Sequence, residues 1–210
     1  MAHIINTIRN RTITETIELL LEAHADLLSA ITKSDTFKST SLHWGIEAKR
    51  LAVDLSCIDN SLILKRSEKF VELINILATV ERTIDSLSWC ETQFPNLIVD
   101  QCHPSTSDDP DGNDIVLVDS EGTIQVRIEV CDVASNRAGQ NGKEKSDLAN
   151  LGCSSNVPKD NVSRFIGTSK EFAAALSSPK RKWKNLHYFY ETFPVSGATT
   201  VMVKVHGNET

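Results

Sequence analysis

The stretch "DGNDIVLVDSEGTIQVRIEVCD", residues 111–132, decides the fold. It alternates apolar and polar residues on both sides of a short break, which is the period of β-strands. Residues 114–119 ("DIVLVD") and 123–133 ("TIQVRIEVCDV") are the two strands. Glu121-Gly122 is the expected turn, because glycine takes the positive φ that two-residue hairpin loops require. That loop sets Ser120 opposite Thr123 and carries Asp114 directly opposite Glu129. Facing residues of an antiparallel pair hold their Cβ atoms about 4.5–5.5 Å apart. By parity, Ile115 and Leu117 share an apolar face with Ile124, Val126, Ile128 and Val130. Asp114, Val116 and Val118 share the other face with Gln125, Arg127, Glu129 and Cys131.

Two carboxylates facing each other repel unless a cation or a proton lies between them. Their oxygen donors suit a hard divalent ion such as Mg²⁺, which prefers carboxylates and keeps several waters. Such an ion polarises a phosphoryl oxygen and supplies hydroxide for in-line attack. The alternative is a half-exposed sheet face whose charges are solvated or paired to Arg127.

Outward from the hairpin, the period changes near Pro95. Thr12-Ile13-Thr14-Glu15 is a capping-box pattern that opens a helix with Ile13, Ile17, Leu20, Leu21, His24, Leu27, Leu28 and Ile31 on one face. His24, inside that stripe, reads as a packed or interface histidine. Polar residues 34–41 connect to a second helix over about residues 42–55. A long helix over about 67–89 follows, with Phe70, Ile74, Leu77, Ile84 and Leu87 on its apolar side. Residues 1–92 thus form a helical N-terminal region, and 93–210 an α/β core. In that core, 96–100 is a short strand and 103–113 a surface loop. After the hairpin, 135–145 is a loop leading into a helix that ends at Gly152. Residues 163–168 are a strand, and Thr168 with Glu171 repeats the capping-box pattern ahead of another helix. Residues 186–193 and 199–206 are the last two strands. The sum is a mixed α/β domain with one central sheet.

A net charge of −6 argues against a generic, strongly basic nucleic-acid binder and leaves room for a local basic surface. Residues 178–185 ("SPKRKWKN") are such a surface: Lys180, Arg181, Lys182 and Lys184 flank Trp183. They suit a phosphate backbone with a stacked base, or equally a solvated loop anchored by a buried tryptophan. The N-terminus lacks the continuous apolar core of a signal peptide, and no run reaches the roughly 18 apolar residues of a membrane span. The expectation is a soluble, cytoplasmic protein with no membrane partner. The five cysteines show no CxxC spacing, so separate buried thiols are expected rather than disulfides or a zinc site.

The order helix, strand, strand, strand, helix, strand over residues 67–168 resembles the αβββαβ core of the PD-(D/E)xK nuclease superfamily, which includes many type II restriction endonucleases. "PDGND" followed by "EVC" resembles its signature, an acid entering the second strand and then Glu-x-Lys on the third. The resemblance implies a restriction-endonuclease-like mixed sheet and a Mg²⁺- or Mn²⁺-dependent DNA endonuclease, with Asp114 and Glu129 as metal ligands. Asp111, the literal acid of "PD", points to the other face if the strand extends that far. The lysine position of the signature is Cys131 here, and a thiol cannot stand in for an ammonium. Lys143 is then the first candidate for its role, with Lys145 beside it, as in relatives that draw the lysine from the following helix. Glu81 is a further candidate ligand by the same resemblance. Arg137, Gln140 and Asn141 carry side chains suited to base edges. Double-stranded DNA and a homodimer are the implied partners. The missing lysine also admits a catalytically inactive, nuclease-like DNA-binding or assembly subunit.

Overall fold

Thr12 and Glu15 cap the first helix reciprocally. The Thr12 amide donates to Glu15 Oε2 at 2.9 Å, and the Glu15 amide donates to Thr12 Oγ1 at 3.1 Å. The capping box read from the sequence therefore forms, and the bonds hold the Glu15 carboxyl below its ordinary range. In the computed structural model, residues 6–33, 70–104, 113–131, 146–153, 158–176 and 188–207 are described. In order they form β1 (Ile8–Thr12), α1 (Ile13–Lys33), α2 (Phe70–Gln93), β2 (Ile98–Cys102), β3 (Ile115–Val118), β4 (Ile124–Cys131), α3 (146–150), β5 (Ser163–Ser169), α4 (Lys170–Leu176), β6 (Tyr188–Pro194) and β7 (Thr200–Gly207).

The seven strands make one mixed, mostly antiparallel sheet in the order β1-β2-β3-β4-β5-β7-β6. β4 and β5 are its parallel pair, and α3 lies on the connection between them, as a parallel crossover needs. Helices cover both faces. Leu20, Leu27 and Ile31 of α1 and Ile76, Val80 and Leu87 of α2 pack on Val99, Ile115, Leu117, Val126, Ile128 and Phe165. On the other face, Leu148 of α3, Leu151 just after it, and Phe172 and Leu176 of α4 cover Cys131, Ile166, Val201 and Val203. Burying each such aliphatic chain contributes roughly 1.5–3 kcal/mol. Among the described residues, no helix is long and apolar enough to cross a membrane.

Three local readings shift. A strand, β1, precedes α1 and pairs with β2, so the sheet begins before the first helix. The helix after β5 is capped by Ser169, whose hydroxyl accepts from the Phe172 amide at 3.2 Å. Thr168 stays in the strand, buried, and donates to the Cys131 carbonyl at 2.9 Å. The hairpin turn is one residue longer than two. Gly122, with φ +79°, donates to the Asp119 carbonyl at 3.0 Å, and Asp119 pairs back to Thr123. This is a tight turn with a glycine bulge, and the Asp119 carboxylate fixes it by accepting from the Glu121 and Thr123 amides and from Gln125 Nε2. A second bulge, between Leu117 and Val118, absorbs the extra residue. The expected register is therefore restored at Leu117↔Val126, Val116↔Arg127 and Ile115↔Ile128.

α2 crosses the sheet closely at Gly167. A Cβ there would overlap Ser86 Oγ, and Ser86 is fully buried with its hydroxyl bonded to the Arg82 carbonyl at 2.7 Å. Gly167→Ala should cost about 1–3 kcal/mol by overpacking. A urea midpoint unchanged from wild type would refute this close approach.

Candidate metal centre

The restored register sets the site. Asp114 lies one residue before β3, and extending the register one step past its last rung, Ile115↔Ile128, brings Asp114 level with Glu129. Asp114 Oδ2 accepts from the Val130 amide at 2.6 Å, so its side chain lies against the β4 backbone. Its own carbonyl accepts from the His103 amide at 2.6 Å, which ties it to the end of β2. His103 is itself buried and bonded through Nδ1 to Thr7 Oγ1 at 2.6 Å. Burial pushes the Cys102 thiol up from its ordinary range, and the charge of Asp114 adds to the shift.

Glu129 is only 2% exposed, so it is not a solvated charge on an open sheet face. Asn150 of α3 donates to Glu129 Oε2 at 3.1 Å. α3 is stopped firmly. Gly152 (φ +76°) donates to the Ala149 carbonyl at 2.9 Å and Cys153 to the Leu148 carbonyl at 2.6 Å, a Schellman pattern. Arg164 then donates through Nε to the Leu151 carbonyl at 2.8 Å. These contacts hold Asn150 over the end of β4. Asp147, fully buried, sits three residues before Asn150 on the same side of the helix.

Asn113 completes the surround. With its amide turned so that both ends find partners, its oxygen accepts from Arg127 Nη1 at 2.8 Å and its nitrogen donates to the Asn150 carbonyl at 3.1 Å. Gln101 Nε2 donates to the Asn113 carbonyl at 3.1 Å. Arg127, Asn113 and Asn150 thus run around the Asp114–Glu129 rung in a chain of hydrogen bonds that ends on Glu129.

No family model matches this chain, and neither does any curated protein or solved structure. The chemistry of the site therefore has to be read from its own residues. Among those described, no three His, Cys, Asp or Glu side chains gather as a ligand set. Mg²⁺ does not need three, since it is commonly held by one or two carboxylates with water filling the remaining positions. Asp114 and Glu129 supply oxygen donors of that kind, so the residues present fit a hard divalent ion.

Glu81 does not join them. It is mostly exposed on α2, and its Oε1 lies 2.9 Å from His24 Nε2 on α1. That pair also gives His24 the interface role its stripe implied. Cys131 is 1% exposed and sits in the core cluster with Leu148 and Leu151. Cys90, Cys102, Cys131 and Cys153 are all buried, and none of the four is in a disulfide. Lys143, Arg137, Gln140, Asn141, Lys180, Arg181, Lys182 and Lys184, together with Asp111, Lys145 and Trp183, lie outside the described residues. Asn113, Asp147 and Asn150 escaped the sequence reading. The i, i+3 spacing of Asp147 and Asn150 on the crossover helix is the signal that was there to find.

Proposed function

We propose that this chain is a Mg²⁺-dependent DNA endonuclease, a restriction-endonuclease-like phosphodiester hydrolase that acts as a homodimer on double-stranded DNA in the cytoplasm. The observation that carries the reading is buried Glu129 near the end of β4, bonded to Asn150 of α3, with a hairpin register whose extension brings Asp114 level with it. Burying a carboxylate is expensive unless hydrogen bonds or a cation compensate it, and a divalent ion does so most strongly. The element order from α2 to β5, with β5 parallel to β4, agrees with an αβββαβ core. On this reading Asp114 and Glu129 hold the ion, which supplies Lewis-acid polarisation of a phosphoryl oxygen. The chain's own residues do the rest. Asn150 orients Glu129, and the Val130 amide orients Asp114. Lys143 takes the role of the lysine lost at Cys131. Lys180, Arg181, Lys182 and Lys184 track phosphates, and Arg137, Gln140 and Asn141 read base edges. The dimer is what the family resemblance implies, because cutting both strands of a symmetric site takes two active sites.

The second reading is an inactive nuclease-like subunit that binds DNA or assembles with other chains. Buried Cys131 at the lysine position favours it. Two measurements on the whole protein separate the readings: calorimetric titration with Mn²⁺, and nicking of supercoiled plasmid in Mg²⁺. The endonuclease gives a heat of binding and nicked plasmid. An inert protein with no heat would sink it and leave the subunit reading.

A further inference from the structure

The site has a cation of its own in Arg127. This residue projects from β4 on the same face as Asp114 and Glu129, two residues before Glu129 and opposite Val116. Its side chain does not stay at that rung. Nη1 reaches Asn113 at 2.8 Å, and Asn113 precedes Asp114, so the guanidinium extends along the strand to the level of the carboxylate pair. It is half-buried there. Arg127 takes no part in the ion pairs His24–Glu81, Arg164–Asp160 and His206–Glu191. A guanidinium carries five N–H donors in a rigid fork, and Asn113 takes one of them. The fork is therefore anchored at one corner on Asn113, the neighbour of Asp114, and offers four further N–H donors. That geometry suits an anion with planar pairs of oxygens, and phosphate is the group it matches best.

We infer that Arg127 is a catalytic residue that binds the non-bridging oxygens of the scissile phosphodiester. It meets the negative charge that develops on those oxygens, in addition to the lysine role given to Lys143. This rests on the phosphodiesterase reading. In the step it serves, water adds to phosphorus and the P–O bond to the leaving sugar oxygen breaks. That oxygen takes a proton from solvent, so diester and water become monoester and alcohol. Asn113 acts as a positioning residue, since it fixes the guanidinium and, through the Asn150 carbonyl, links it to the group holding Glu129.

The test uses the full chain with R127Q and R127K. Glutamine keeps a donor for Asn113 and removes the charge; lysine restores a charge without the fork. R127Q is expected to lose cleavage by roughly 10²–10³-fold, the scale for removing one preorganised donor. Binding of a short DNA duplex in Ca²⁺, read by anisotropy, should weaken roughly tenfold, as for one charge-assisted contact. Mn²⁺ affinity should stay within about twofold of wild type, and R127K should recover part of both losses. If wild type cleaves and R127Q cleaves as fast, this inference falls and the nuclease reading stands. If wild type neither cleaves nor takes up Mn²⁺, both fall together. Should R127Q not fold, the wild-type protein decides. The side-chain ¹⁵N resonance of Arg127 should shift when a dinucleotide phosphodiester is added with Ca²⁺, and an unmoved resonance overturns the inference.

Discussion

Asp114→Asn should abolish Mn²⁺ binding and Mg²⁺-dependent cleavage while leaving the protein folded. The choice of asparagine comes from the contact Asp114 makes. Its Oδ2 accepts from the Val130 amide at 2.6 Å, and an asparagine oxygen accepts the same bond without the charge. Asp114→Ala removes the acceptor as well and leaves a β4 amide unsatisfied, which costs about 1–3 kcal/mol of stability by itself. The alanine variant therefore mixes two effects that the asparagine variant keeps apart. Losing metal polarisation removes several kcal/mol of transition-state stabilisation, roughly a 10³-fold loss at 1.36 kcal/mol per decade. Glu129→Gln should behave in the same way, since its amide can still meet Asn150 after a flip. The measurements are a titration with Mn²⁺, a plasmid assay and a urea melt on each variant. Wild-type cleavage by Asp114→Asn would end the assignment of that carboxylate.

The hairpin shows what the sequence makes legible. Alternation along residues 123–131 sorts that strand's two faces, whereas the four β3 residues are all apolar and all buried and take their register from pairing with β4. The turn was less legible. Glu121-Gly122 looks like a two-residue loop, but the Asp119 carboxylate organises a longer one by capping the Glu121 and Thr123 amides. The bulge between Leu117 and Val118 cancels the difference, which is why Asp114 still meets the Glu129 rung. β1 was illegible for a different reason. It is an edge strand with Ile8 buried and its other four residues exposed, and Asn10 takes a positive φ of 54°, so it has no apolar alternation to read.

At the site, the two candidate acids carry a pattern and the residues around them do not. Asp114 and Glu129 stand out because like charges rarely face each other without cause. Asn113 and Asn150 are neutral amides in a loop and on a short helix. Their role appears only when the β4–α3–β5 crossover brings them within reach of Arg127 and Glu129. Parity put Arg127 on the face of the two acids, where the alternative reading left their charges solvated or paired to it; its partner is Asn113.

The same crossover makes Arg164 the position whose loss should destabilise the protein most. Arg164 is 4% exposed on β5 and makes four short contacts. Nη1 and Nη2 meet Asp160 at 2.7 and 2.8 Å, Nη1 also donates to the Val162 carbonyl at 2.7 Å, and Nε donates to the Leu151 carbonyl at 2.8 Å. Arg164→Met keeps most of the buried stem and removes every donor. Two backbone carbonyls and the end of α3 then lose their partner, for a loss of about 3 kcal/mol. Asp160→Asn should cost clearly less. Asp160 is 45% exposed, so solvent screens the pair, and Arg164 keeps its two carbonyls. Equal losses in urea melts of the two variants would show that the ion pair, rather than the carbonyl clamp, is what stabilises the crossover. The pH dependence has a definite sign. Hydrogen bonds from Arg164, first among several causes, hold the Asp160 carboxyl below its ordinary range. A carboxyl depressed on folding stabilises the native state above its unfolded value, near 3.9, and that contribution is lost as pH falls through the folded value. Wild type should therefore lose stability on acidification below about pH 4 more steeply than Asp160→Asn does. Because Leu151 follows Asn150 directly, Arg164→Met should also weaken Mn²⁺ binding, by roughly the 10–100-fold seen when a support of a metal ligand is removed. Unchanged affinity in a folded Arg164→Met protein would mean that Asn150 holds Glu129 without help from the clamp.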